Sequence, residues 1–258
     1  ENFSNYMLFL KYLFTFIILT FLTGNIYSQK LSPANVSNLW DKLDKQIING
    51  TIDDSDAEDL MEEYEPFIIK YFKEQNGKDV LKSEWAFPLN NYTSIYYREN
   101  GNDYRDENYD YFQGSDTRGH PAHDIMILDE NKDLLDDSTL KPVDVVSMSS
   151  GVVVATDTTW EPGSLLRGGK YVKIFDVTNK GLFYYSHLSQ VNVNPGDILN
   201  AGDKIGEVGR TGRKAILKPG KTHIHVAFLI SEDGYPLPKE FINELRNAEI
   251  NNNLNNKK

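Results

Sequence analysis

The sequence predicts a mainly β domain preceded by a short α-helical hairpin, and a change of hydrophobic period carries that prediction. From Ser32 to about Asn76 apolar residues recur at helical spacing; after about Ser83 the period falls to two. The later segments are short, rich in Val, Ile, Tyr and Phe, and bounded by Gly, Asn, Asp and Pro. At 258 residues, with 40% hydrophobic and 25% charged residues, the chain can bury a sizeable core and has the composition of an ordinary globular protein.

Residues 1–28 read as a secretory signal peptide. Lys11 precedes an apolar run from Tyr12 to Leu22, and small and polar residues follow as far as Ser28. That run is short of the roughly 20 residues a spanning helix needs, so a retained membrane anchor is the weaker reading. Residues 29–82 form the helical region. Ser32-Pro33 reads as an N-cap with proline at the first helical position, and Val36, Leu39, Trp40, Leu43, Ile47 and Ile48 form one stripe before Gly50. A second helix opens on Ser55 and Glu58, spaced as a capping box, and carries Leu60, Met61, Tyr64, Phe67, Ile68 and Tyr71, with a bend expected at Pro66. Its acidic run from Asp53 to Glu65 reads as a solvated face that suits the positive end of the helix dipole.

Residues 83–240 form the β-rich domain. Strands are expected over Ser94–Arg98, Asp124–Leu128, Val143–Met148, Gly151–Thr156, Tyr171–Val177, Leu182–Ser186, Lys204–Val208 and His223–Ile230, with a tight hairpin turn at Thr178–Gly181. The remainder, 241–258, reads as a C-terminal tail; its Asn- and Lys-rich part from Asn247 is expected to fray.

A formal net charge of −11 excludes a polyanion such as nucleic acid as the expected partner, because binding one requires a basic surface. The chain has no cysteine. That removes disulfides, thiolate metal sites, a cysteine nucleophile and a lipoprotein attachment point, and leaves His and carboxylates as the only metal ligands.

All five histidines lie in the β-rich part, as His120, His123, His187, His223 and His225. One histidine in a sheet is usually structural; clustering of every histidine points to a site. His223 and His225 share one face of a strand, so two imidazoles project side by side, one able to bind a metal while the other contacts water or substrate. His120 and Asp124 stand four residues apart across a Pro-containing entry into the next strand and can turn towards one point. Two nitrogen ligands and one carboxylate with an open fourth position describe a catalytic rather than a structural zinc site. His187, at the end of an aromatic strand, is placed to join them.

In order and approximate spacing, these segments resemble the M23 (lysostaphin/LytM-like) zinc endopeptidases. The resemblance rests on His120-x-x-x-Asp124, Tyr185-Ser186-His187-Leu188, the turn-rich stretch Asn194–Gly212 and His223-Ile224-His225, and spans roughly residues 85–232 from Phe87-Pro88-Leu89. It implies an antiparallel two-sheet β-domain with a central groove. It also implies one zinc ion per chain held by His120, Asp124 and His225, with His187 and His223 as unligated catalytic histidines. The implied function is a secreted or periplasmic, monomeric metallo-endopeptidase cleaving peptidoglycan stem peptides or cross-bridges.

This sequence departs from the family pattern at Ala122 and His123, where Gly and an aliphatic residue are usual, and in a longer stretch over Arg213–Lys221. His123, beside Asp124 in an extended segment, is expected to point away from the metal. The longer stretch, with Arg210, Arg213, Lys214, Lys218 and Lys221, reads either as a solvated loop or as a cationic border of the cleft. A carboxylate of the acidic helix reaching the zinc would make the hairpin self-inhibitory. The alternative function is a catalytically inactive M23-like domain that binds or regulates a cell-wall hydrolase; against it, all three implied ligands are present. A biotinyl- or lipoyl-type carrier domain shares the Gly-Asp turns but has no use for the histidines.

Overall fold

Alternation along the strands gives the β-domain one face for a core and one for a cleft. In the computed structural model, residues 31–98, 101–216 and 220–255 are described. Contacts divide the chain into Glu1–Leu31 and Ser32–Lys258, and the signal segment expected at residues 1–28 lies outside the described residues. The strands in chain order are β1 (Ser94–Ile95), β2 (Tyr97–Arg98), β3 (Gly101–Asn102), β4 (His123–Met126), β5 (Asp144–Val146), β6 (Gly151–Asp157), β7 (Lys170–Asp176), β8 (Gly181–Leu188), β9 (Gln190–Val191), β10 (Ile198–Leu199), β11 (Lys204–Glu207), β12 (His223–Glu232) and β13 (Tyr235–Pro238). The main sheet runs β1-β4-β12-β8-β7-β6-β10 with β13 also on β12; a second sheet runs β5-β11-β9, and β2-β3 form a separate ribbon. All of these pairings are antiparallel. The mainly β, two-sheet architecture expected from the sequence is therefore present, with the ribbon added.

On β12, Ile224, Val226 and Phe228 enter the core, where they meet Phe183 and Tyr185 of β8, Val172 and Ile174 of β7, and Val145 and Ile205 of the second sheet. Burying one such side chain contributes ~1.5–3 kcal/mol. His223, His225, Ala227 and Leu229 alternate with them and so share the opposite face. The same alternation puts Tyr184 and Ser186 of β8 opposite Ala227 and His225.

The helical hairpin is α1 (Val36–Asn49) and α2 (Asp54–Glu74). Val36, Trp40, Leu43 and Ile47 of α1 are buried at i, i+4, i+7 and i+11, and Trp40 packs on Phe175 of β7 at 5.6 Å between ring centroids. Gly50 ends α1 with φ +61°.

Both expected caps differ in detail. The side-chain carbonyl of Asn35 accepts hydrogen bonds from the backbone N–H and Oγ of Ser32, so Ser32 is engaged in a turn and regular helix starts only at Val36. The second helix starts at Asp54, ahead of Ser55, so Ser55 and Glu58 lie inside it and the N-cap residue Asp53 makes no side-chain cap bond. The acidic residues Asp54 and Asp56 occupy the first turn, as its dipole favours.

The C-terminal segment is also corrected. Residues Ile242–Asn255 form a third helix, α3. Phe241, Leu245 and Ala248, at i, i+4 and i+7, are buried in the core, where Phe241 meets Trp85. Strand β13 follows a two-residue turn, Asp233-Gly234, with φ +47° and +86°, the left-handed pair that a tight hairpin turn requires. Its Pro236 and Pro238 are tolerated because β13 pairs on one side only.

Candidate metal centre

Strand register makes the first contact of the site. His225 lies directly opposite Asp124 across the β12-β4 ladder and opposite Ser186 across the β12-β8 ladder. His120 is brought in by a three-residue turn centred on Pro121, in which the Ala122 N–H donates to the His120 carbonyl at 2.8 Å. Gly119, at φ +80°, lets His120 bridge Arg105; a Cβ there would lie 2.9 Å from the Arg105 carbonyl oxygen.

Asp124 Oδ1 lies 3.2 Å from His120 Nε2 and 3.0 Å from His225 Nδ1, and its Oδ2 lies 3.8 Å from His223 Nε2. His120, Asp124 and His225 each offer a ligand atom, and these atoms all lie within 4.8 Å of one another. Such a set could hold one metal ion. The His187 ring lies 4.9 Å from that of His223 and 5.7 Å from that of His225. The structure thus brings together His120, Asp124, His187, His223 and His225.

Backbone carbonyls orient three of the imidazoles. Nδ1 of His120 contacts the Asp103 carbonyl at 3.1 Å, that of His187 the Thr211 carbonyl at 2.8 Å, and that of His223 the Lys221 carbonyl at 2.8 Å. A carbonyl only accepts, so each Nδ1 carries the proton; the neutral rings of His187 and His223 then keep their lone pair on Nε2, while Nε2 of His120 faces the Asp124 carboxylate. His187 reaches Thr211 from a left-handed backbone, φ +67°, at the end of its strand. Gly212, at φ +111°, makes room: a Cβ there would sit 2.9 Å from His187 Nδ1 and 2.4 Å from the Arg167 carbonyl oxygen.

Burial opposes ionisation of Asp124, but hydrogen bonds from His120 and His225 and the nearby imidazole charges outweigh it and hold the carboxyl well below its usual range. Burial, reinforced by His223 and His225, pushes His187 down to about 3. Burial also lowers His225, against its hydrogen bond to Asp124. For His120 the carboxylates of Asp124 and Asp103 overcome burial and raise the pKa. His187 and His225 are therefore neutral at pH 7, the state in which an imidazole binds metal or accepts a proton.

His123 takes no part. It is fully buried on the other face of β4, between Tyr104 and Phe241, with Nε2 3.5 Å from Glu240 Oε1. The basic stretch divides. Arg210 is buried and braces the strand entry, donating to the carbonyls of Gly220 and Ala215 and to Thr222 Oγ1. It is not a cleft-bordering charge. Lys214 does line the cleft, whereas Lys218 lies outside the described residues.

The site opens on a cleft of about 370 Å³. Arg118 and Arg167 line it, neither of which sequence spacing suggested, and so does Ile48 at the end of α1. None of the acidic residues from Asp53 to Glu65 lines it. The idea of a carboxylate from that helix reaching the metal position is therefore withdrawn.

Residues 136–237 match the family model described as peptidase family M23. That segment is similar in sequence to this family. It contains His187, His223 and His225, while His120 and Asp124 lie N-terminal to the match and join the site by geometry alone. No curated protein matches the chain. Among solved structures, the antimicrobial peptidase lysostaphin from Staphylococcus simulans is similar at 21% identity over 50% of this chain and 45% of that one, with a TM-score of 0.35. A zinc containing peptidase from Vibrio cholerae is similar at 20% identity over 59% of this chain and 38% of that one, with a TM-score of 0.39. This chain spans less than half the length of either.

Proposed function

We propose that the protein is a zinc metallo-endopeptidase that hydrolyses peptide bonds in peptidoglycan stem peptides or cross-bridges, with His120, Asp124 and His225 as the metal ligands. One observation carries this reading: two imidazoles and a carboxylate converge, beside two further histidines, in the lining of an open cleft. The donor set fits zinc, which takes nitrogen and carboxylate ligands and in catalytic sites keeps a position open. The hold of Asp103 on His120 is the kind of outer contact that orients a metal-ligating imidazole. The M23-type segment supports peptidase chemistry and the choice of a cell-wall substrate.

When bound, zinc supplies Lewis-acid polarisation of the scissile carbonyl and lowers the pKa of water towards about 7. His187 and His223 supply the proton handling. Each keeps Nδ1–H on a backbone carbonyl, which leaves Nε2 to accept a proton from the attacking water or, once protonated, to donate to the oxyanion or the leaving amine. Holding both rings in one orientation removes reorganisation from the reacting step. The enzyme is read as a monomer exported to the periplasm or beyond; among the described residues no helix is long and apolar enough to cross a membrane.

Mass-spectrometric identification of fragments released from defined peptidoglycans, with and without a chelator, tests the reading. New amines and carboxylates from cleaved peptide bonds, abolished by the chelator and restored by zinc, are expected. Full zinc loading with no fragment released would instead favour an inactive domain that binds or regulates a wall hydrolase.

A further inference from the structure

We propose that the N-terminal helical hairpin is a fixed wall of the substrate cleft and that the end it closes is a specificity pocket for an uncharged, apolar or aromatic side chain of the substrate peptide. This rests on the peptidase reading above. The cleft lining follows the face of β12 that carries His225, Ala227 and Leu229, which at about 3.3 Å per residue is ~13 Å of strand. Beyond His225 along that strand it is lined by Ala227 and Leu229, with Tyr184 paired to Ala227 and Tyr111 over Lys173, and Ile48 belongs to the same lining. An extended peptide with its scissile bond at the histidines would therefore place there a side chain roughly two to four residues away.

Two features fix the wall. Gly114, at φ +50°, lets the loop carrying Tyr109 and Tyr111 press against the last turn of α1: a Cβ at Gly114 would lie 2.5 Å from the Ile47 carbonyl oxygen and 2.9 Å from Ile48 Cα. Beneath it, the Asp44 carboxylate of α1 pairs with Lys173 of β7 and accepts hydrogen bonds from Tyr171 at 2.6 Å and Tyr111 at 3.3 Å. Both charges are buried, Asp44 at 1% exposure and Lys173 at 7%. One salt bridge thus ties the hairpin, the sheet and the tyrosine loop together.

The same pair decides what the pocket takes. Lys173 borders the cleft, but its ammonium is engaged by Asp44 and by the Tyr111 hydroxyl at 3.0 Å, and it sits against the rings of Tyr111, Tyr171 and Tyr184. Recruiting it to a substrate carboxylate would leave Asp44 buried and unpaired, which is strongly unfavourable. What remains on offer is aliphatic and aromatic surface.

The test uses the full chain with Ile48→Trp to fill the pocket and Ile48→Ala to enlarge it, against two sets of peptides. Long peptides carry a bulky apolar residue that reaches the closed end; short ones stop before it. For long peptides, Ile48→Trp should lower kcat/KM and weaken binding by isothermal titration at least tenfold, and Ile48→Ala should shift preference towards larger side chains. Short peptides should change less than twofold, with zinc content unaltered. Parallel changes for both sets, or none, would overturn the inference. A wild-type protein that binds long peptides in an Ile48-dependent way yet cleaves none would sustain the pocket and refute the peptidase reading alone. Failure of the wild type to bind either set would refute both.

Discussion

Asp44 and Lys173 show at single-residue scale how far charge placement constrains this fold. Removing one partner leaves the other buried without compensation, so Asp44→Ala should destabilise the protein by ~3–5 kcal/mol, whereas Asp44→Ala with Lys173→Met should recover part of that loss. Urea unfolding of the three variants measures it; additive losses would show that the pair is not coupled. The sequence gives no sign of this contact, because the two residues lie 129 positions apart and each is unremarkable in its own segment. The histidines were legible for the opposite reason: they are few, and His223 and His225 declare a shared face by spacing alone. Their orientation was not legible, since the carbonyls of Asp103 and Thr211 reach the rings only through tertiary folding, and these, like the neighbouring Lys221 carbonyl, are encoded by no side chain.

At the scale of elements, strong periodicity was read correctly and short or composition-masked elements were missed. The alternation of β12 and the stripe of α1 each bury a continuous face, so pattern and structure coincide. Two-residue strands such as β9 and β10 carry no periodic signal, and β13 was hidden by its prolines although Asp233-Gly234 marked the turn before it. Helix α3 was hidden by its asparagines; Phe241 just before it and Leu245 and Ala248 within it are buried in the core, where Phe241 packs on Trp85 and Phe228. Phe241→Ala should accordingly cost about 3–5 kcal/mol in denaturant unfolding, a loss typical of a truncated core aromatic. A change below 1 kcal/mol would mean that this helix merely rests on the domain.

For the molecule as a whole, the two faces of one sheet divide the work. One face, sealed by the second sheet and α3, holds the core; the other, partly covered by α1 and α2, carries four of the five histidines, Asp124 and the cleft. A net charge of −11 coexists with Arg118, Arg167 and Lys214 along that cleft, so an acidic protein still presents cationic side chains to its proposed substrate. The central claim is that His120, Asp124 and His225 form the metal centre while His187 and His223 act beside it. Zinc stoichiometry by elemental mass spectrometry, on chains carrying one alanine at each of these five positions, tests it most directly. The prediction is one zinc per wild-type chain, lost in the His120, Asp124 and His225 variants and kept in the His187 and His223 variants. Zinc retained without His225, or lost without His187, would contradict it.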